Sequence, residues 1–328
     1  MKNSMKSFIN AGVAAFLFLV LPIFPAQSQA FPTKPIRVIV PAAPGSTMDS
    51  LPRMLGVRLQ EVFGQPMVVE NRPGANNVIG SDFVAKSAPD GHTLVITTPS
   101  SHIVAVYLMK KLPYDPKTDF TPITAVADPL TVLAVHPSVP ANNTAEFVAL
   151  LRKSPGKYAY GSPGIGSVFH LMGELLTLTA GVNIIHVPYK GTAPAVADTV
   201  TGQVQFVFSA VNNVIPQMKA GKLKVLAVLT PQRFSGLPDI PSVAESLPGY
   251  ERPSSWYAFF GPAGMPPAVT ARLSSEIAKQ VHAPDMKAKL EGMGLAVIGN
   301  TPQEFSALFL SGFAVYERVI KAAGIQPE

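Results

Sequence analysis

The chain has no cysteine, a single tryptophan and only 14% charged residues. The first absence excludes disulfides, thiolate nucleophiles and cysteine-ligated zinc or iron–sulfur centres. A cysteine-free chain must hold itself by its core, and at 328 residues it can. Basic runs are missing too. With 26 Lys+Arg against 20 Asp+Glu spread along the chain, composition argues against a nucleic-acid partner. Catalytic patterns are equally scarce. No Gly-x-Ser-x-Gly elbow occurs, because Tyr160 stands two places before Ser162. The six histidines lie far apart and none forms His-Glu-x-x-His. Gly164-Ile165-Gly166 opens like a dinucleotide fingerprint, but Phe169 occupies the third glycine place and no acid follows at ribose-binding distance. His170 and Glu174, one helical turn apart, read as a satisfied polar pair, since two ligands rarely make a metal site. His186, at a strand end, reads as bonded to nearby backbone. Without a nucleophile, base and orienter in one constellation, the chain reads as a non-enzyme with no cofactor and no metal.

What is present begins with an export pattern. Lys2 and Lys6 form a basic head, residues 11–24 are apolar, and Ser28 and Ala30 flank Gln29 as small residues. The apolar run falls short of the ~20 residues that cross a bilayer, and no comparable run follows. It reads as a secretory signal cleaved after Ala30, with no nearby cysteine to carry a lipid. The remaining 298 residues suffice for two domains, and setting Lys2 and Lys6 aside leaves 24 basic against 20 acidic groups. That balance suits an anionic ligand weakly.

Thirty-three prolines and 25 glycines punctuate short apolar runs, which reads as many short loops. The pattern predicts strands over 36–40, 67–70, 93–97, 131–136, 157–160, 184–187, 204–208 and 223–229. Helices are predicted over 49–63, 78–88, 144–153, 167–180, 193–201 and 211–219. This alternation implies an α/β protein with parallel sheets covered on both faces. Two sheets fit the length, with the chain crossing near Leu130 and returning near Ser254. That division gives a first lobe of 31–130 and 254–328 and a second lobe of 131–253.

Two Gly/Ser-rich loops join a strand to a helix, 41–49 and 160–167. Ligands of parallel sheets bind at the carboxyl ends of strands, beside helix N-termini whose free N–H groups and positive dipole end favour anions. Taken singly, each loop is ordinary turn chemistry, with Ser167 an N-cap. Taken together, one from each lobe, they form two halves of a carboxylate clamp.

Several blocks are more specific. Ile39-Val40-Pro41 through Gly45 and Asp49, Val69-Glu70-Asn71-Arg72-Pro73-Gly74-Ala75, and Pro89-Asp90-Gly91-His92-Thr93-Leu94 occur in order. Leu112-Pro113-Tyr114-Asp115-Pro116, Gly164 to His170 with Glu174, and His186-Val187-Pro188-Tyr189-Lys190-Gly191 follow. Ala220-Gly221-Lys222-Leu223 and Pro238-Asp239-Ile240-Pro241-Ser242-Val243 close the series. Over essentially the whole chain after residue 30, this resembles the Bug (TctC-like) family of periplasmic binding proteins of tripartite tricarboxylate transporters. The resemblance implies a periplasmic-binding-protein (Venus-flytrap) fold, two α/β lobes closing on one ligand. It implies a carboxylate gripped by main-chain groups, hydroxyls and water rather than by a salt bridge, which agrees with loops that hold no Lys or Arg. By family position the first lobe contributes Ala42, Ala43, Gly45, Ser46, Thr47, Asp49, Thr98, Ser100, Ser101 and His102. The second contributes Ser162, Gly164, Ile165, Gly166, Ser167, His170 and Ser209. The family commonly carries Phe where Ala42 stands, Gly where Ser46 stands and Asp where Ser209 stands. Losing that acid removes a partner for a ligand ammonium, so the expected ligand is a citrate-like acid, a dicarboxylate or an aromatic acid rather than an amino acid. The implied partners are the permease subunits of such a transporter, or in the alternative a sensor-kinase ectodomain, met by a periplasmic monomer.

Overall fold

The computed structural model describes residues 31–234, 236–253 and 255–327. The expected signal segment over 1–30 lies outside them, as does Ser254. The chain begins with β1 (Ile36–Val40), α1 (Thr47–Phe63), β2 (Met67–Asn71), α2 (Val78–Ala85) and β3 (Thr93–Thr97). A π-type turn over Ser100–Val104 runs into the short α3 (Ala105–Leu108), and β4 (Phe120–Pro129) follows. Next come β5 (Thr131–Val135), α4 (Thr144–Lys153), β6 (Ala159–Ser162), α5 (Val168–Ala180), β7 (Ile185–Pro188) and α6 (Thr192–Thr201). Then β8 (Phe206–Ala210), α7 (Val211–Lys219) and β9 (Lys224–Val228) precede β10 (Tyr257–Pro262). The chain closes with α8 (Pro267–His282), α9 (Pro284–Gly292), β11 (Leu295–Val297) and α10 (Pro302–Ala322).

Local chemistry sets several of these ends. The Ser46 side chain accepts from Asp49 N at the start of α1, and Gly64 takes the left-handed conformation that ends it. Ser167 and Gly181 play the same two parts for α5. Thr301 and Glu304 form a capping box on α10, with Pro302 in its first turn. The expected helix over 78–88 stops early, at Ala85.

The strands form two sheets, in the orders β11-β4-β10-β3-β1-β2 and β7-β6-β8-β5-β9. These are mixed sheets, which corrects the expectation of parallel ones. β1 runs parallel to β2 and β3, and β6 to β7 and β8. β10 is antiparallel to both β3 and β4, while β5 is antiparallel to β8 and β9. The reason lies in the connections. A parallel neighbour needs a crossover of about a dozen residues. Only Leu130 separates β4 from β5, so nothing turns the chain round as it passes from one sheet to the other. β4 itself is a strand the sequence pattern does not reveal, because Pro122 and Pro129 interrupt it.

One hydrophobic cluster reaches into both sheets, joining Ile39 and Val95 to Leu133 and Phe206. α10 packs against β4 and α5 alike, so it braces the two sheets together. Its Phe305 and Phe309 meet the fully buried Trp256 edge-on, with ring centroids 5.3 and 6.2 Å away. A second cluster fills the space between α1, α8 and the first sheet, and a third lies under α6 and α7.

Candidate functional site: an uncharged cleft between the sheets

A cavity of about 440 Å³ opens where the loops of the two sheets face each other. Both glycine-rich loops reach it. Thr47, Thr98 and Ser100 line it from the first sheet, and Gly164, Ile165, Gly166 and Ser167 from the second. Among the described lining residues none is charged. Polarity comes instead from hydroxyls, amides and helix ends. First-turn residues of four helices line the wall: Thr47 of α1, Val168 of α5, Thr192 of α6, and Asn212 and Asn213 of α7. Neither α6 nor α7 has a side-chain cap, whereas Ser46 and Ser167 cap the other two. Uncapped first-turn N–H groups with the positive dipole end behind them attract an anion without a cationic side chain. Tyr257 stands beside Thr47, and burial raises its phenol above the ordinary range, so it remains a neutral hydroxyl.

The other residues expected at the site do not line this cavity, and of them Ala43 and Gly45 are exposed. Asn71 Nδ2 donates to the Ala42 carbonyl at 3.0 Å, and Ser46 N donates to the Ala43 carbonyl. Buried Asp49 accepts from Gly45 N at 2.9 Å, from Asn71 and from Arg53. The Arg53 guanidinium leads in holding its carboxyl down to about 2, with Gly45 and Asn71 adding to the effect against the cost of burial. Asp49 is thus spent on shaping loop 41–49. Ser101 is fully buried, sharing its hydroxyl with Thr97, Ser81 and His102 Nδ1. His102 is sealed among Phe120, Phe260, Tyr114 and Phe309, and burial alone pushes its imidazole down to about 3.

The second lobe's support is a bonded pair of histidines. Gly166 N donates to His170 Nδ1 at 3.0 Å, while His170 Nε2 faces Glu174 Oε1 at 3.5 Å. The His186 ring stacks on His170 at 3.9 Å between centroids. Its Nε2 meets Ser162 Oγ at 2.6 Å, a side-chain partner where the sequence suggested backbone. Burial, then the neighbouring His170, press His186 down to about 4. Ser162 Oγ also accepts from Gly164 N, so two backbone amides of the loop are tied to this pair. Tyr160 completes it, its hydroxyl within 3.0 Å of both Glu174 Oε1 and the His170 carbonyl. Ser209 is buried at the end of β8 and accepts from Asn213 Nδ2 at 3.3 Å.

Sequence reasoning passed over Asn76, Thr192, Asn212, Asn213, Leu108 and Tyr257, all of which line the cavity. A signal for three of them existed, since Thr192, Asn212 and Asn213 open helices that follow strands of the second sheet. Asn76 adopts a left-handed φ of 49° in an Asn-Asn pair after Gly74, a turn signature. Leu108 and Tyr257 carry no such mark.

Comparison with known proteins agrees with this geometry. Residues 51–325 match the model of the tripartite tricarboxylate transporter family receptor. Protein BugT of Bordetella pertussis is 32% identical over 318 residues, 96% of this chain and 94% of that one. An R. palustris protein solved with adipate superposes with a TM-score of 0.78 at 34% identity, covering 91% of this chain and all of the other. MatC from Rhodopseudomonas palustris, solved with bound malate, gives 0.72 at 29% identity over 88% of this chain and all of its own. A matched receptor model over most of the chain, full-length relatives and a two-sheet fold with one cleft lead to one conclusion: the chain belongs to the Bug (TctC-type) family of periplasmic solute-binding proteins.

Proposed function

We propose that this protein captures a small carboxylate between its two lobes, through backbone amides, hydroxyls, side-chain amides and water, and delivers it to the membrane subunits of a tripartite tricarboxylate transporter. The observation that carries this reading is a cleft wall with four helix N-termini and no charged side chain among its described residues. Such a wall favours an anion without a salt bridge, and it leaves an ammonium group no acidic partner. The site residues divide into two layers. Thr47, Thr98, Ser100 and the 164–167 backbone meet the ligand, joined by Asn76, Thr192, Asn212, Asn213 and Tyr257. Ala42, Ala43, Gly45, Ser46, Asp49, Ser101, His102, Ser162, His170 and Ser209 hold that layer in place. The lobes comprise 31–130 with 254–328, and 131–253. Residues 1–30 direct export and are removed after Ala30. Relatives solved with adipate and with malate support a carboxylate ligand.

The protein binds without turnover. Titration calorimetry with adipate, malate and aspartate tests this, followed by mass spectrometry of the recovered ligand. Saturable binding of a dicarboxylate, weaker binding of aspartate and unchanged ligand are expected. Preference for aspartate, or a chemically altered ligand, would refute it.

A further inference from the structure

The geometry points to a ligand whose carboxylate is attached to an apolar chain or ring, with Leu108 of the first lobe and Gly166 of the second reading that body. This rests on the carboxylate reading above and narrows it to a substrate class. Ser100, Val104 and Leu108 all line the cavity, so one face of this segment runs from a hydroxyl at its start to an isobutyl group at its end. Opposite it, Ile165, Val168 and Phe169 line the wall from the second lobe. Ile165 is 62% exposed, which puts this apolar stretch at the rim rather than the floor. The two sides touch. A methyl group on Gly166 would lie 2.3 Å from Leu108 Cδ1, and Gly166 holds a φ of 74° that few other residues adopt.

Glycine at 166 therefore leaves Leu108 the space to reach across the cleft over whatever is bound. An apolar body placed there loses water against carbon on both sides. A second and third carboxylate crowded onto a short body would meet the same carbon and find no cationic side chain among the described lining residues, so they would surrender hydration without recompense. The helix N-termini accept anionic ends of a ligand, and the Leu108 rim accepts the carbon between or beyond them.

Matched pairs test this. Calorimetry on the purified protein would compare succinate with adipate, and propanoate with 3-phenylpropanoate, with citrate as a compact tricarboxylate. Two added methylenes buried at the rim are worth about tenfold in Kd, and a ring at least as much. Adipate and 3-phenylpropanoate are expected to bind tenfold or more tighter than their partners and tighter than citrate. In Leu108→Asn that discrimination falls to about threefold or less, and Leu108→Ala, which adds no polar group, gives an intermediate ratio. Citrate or succinate binding as tightly as adipate overturns the inference alone, as does an unchanged ratio in both variants. Failure of every carboxylate in the panel to bind overturns the carboxylate reading and this inference with it.

Discussion

Acid should weaken this fold through His102, by an amount its surroundings define. The imidazole is fully buried, with the Phe120 and Phe260 rings each 4.4 Å away, and its Nδ1 meets Ser101 Oγ at 3.0 Å. Its Nε2 has no partner among the described residues, and burial holds the pKa down to about 3. The neutral ring is the folded form, so the unfolded chain takes up the proton first as pH falls through about 6.5. Stability contributed above that pH is lost progressively until the folded ring also protonates, near 3. Linkage puts the loss between pH 7 and 4.5 at about 2–3 kcal/mol from this one group. For a domain of this size that corresponds to a melting-temperature drop of about 4 °C. Carboxylates with lowered pKa values, Asp49 among them, add a loss of the same sign, so the test is a difference. Melting temperature would be followed from pH 7 to 4.5 in the wild type and in His102→Leu, which cannot titrate. The variant's curve should be flatter by about that amount, whatever its starting stability. Parallel curves would show that His102 accepts its proton inside the fold, and that the aromatic enclosure does not exclude charge as argued.

Three further substitutions, at two places, probe the frame of the cleft. Asp128 at the end of β4 pairs with Arg252 just before β10, and Asp128 Oδ1 and Arg252 Nη1 are buried without other partners among the described residues. Arg252→Met should cost about 3–5 kcal/mol by stranding the carboxylate, and Asp128→Leu on that background should recover most of it. Urea unfolding of both variants checks this, and additive losses would contradict it. Gly173→Ala would place a methyl group 2.1 Å from Tyr160 Cζ and force the ring off its bonds to Glu174 and the His170 carbonyl. Overpacking of this kind costs about 1–3 kcal/mol in urea unfolding, and a neutral substitution would mean Tyr160 has room to move.

Much of the architecture is legible in the amino-acid sequence. Apolar runs such as Ile36–Val40 and Thr93–Thr97 become buried strands, and Ser46, Gly64, Ser167 and Gly181 mark helix ends by chemistry that acts within a few residues. The two loops at 41–49 and 160–167 were legible as sites for the same reason, because a glycine-rich turn leading into a capped helix is a local pattern. Strand direction was not legible. It follows from the single residue between β4 and β5, in a strand broken by Pro122 and Pro129, and only pairing across the sheet reveals it.

The sequence by itself determined an α/β chain with its glycine and hydroxyl loops in place and no charge in either glycine-rich turn between strand end and helix, save Asp49. Tertiary structure decided which of the expected residues line the cavity and which turn to partners elsewhere. Asp49 turns to Gly45 and Arg53, His102 into an aromatic shell, and His170 to Gly166 and Glu174, because a buried polar group takes the nearest partner packing allows. It also brought Leu108 across to Gly166, two residues far apart in sequence that no local rule connects. Contacts between lobes are made by the packing of whole elements, so they cannot be read from either strand of text alone.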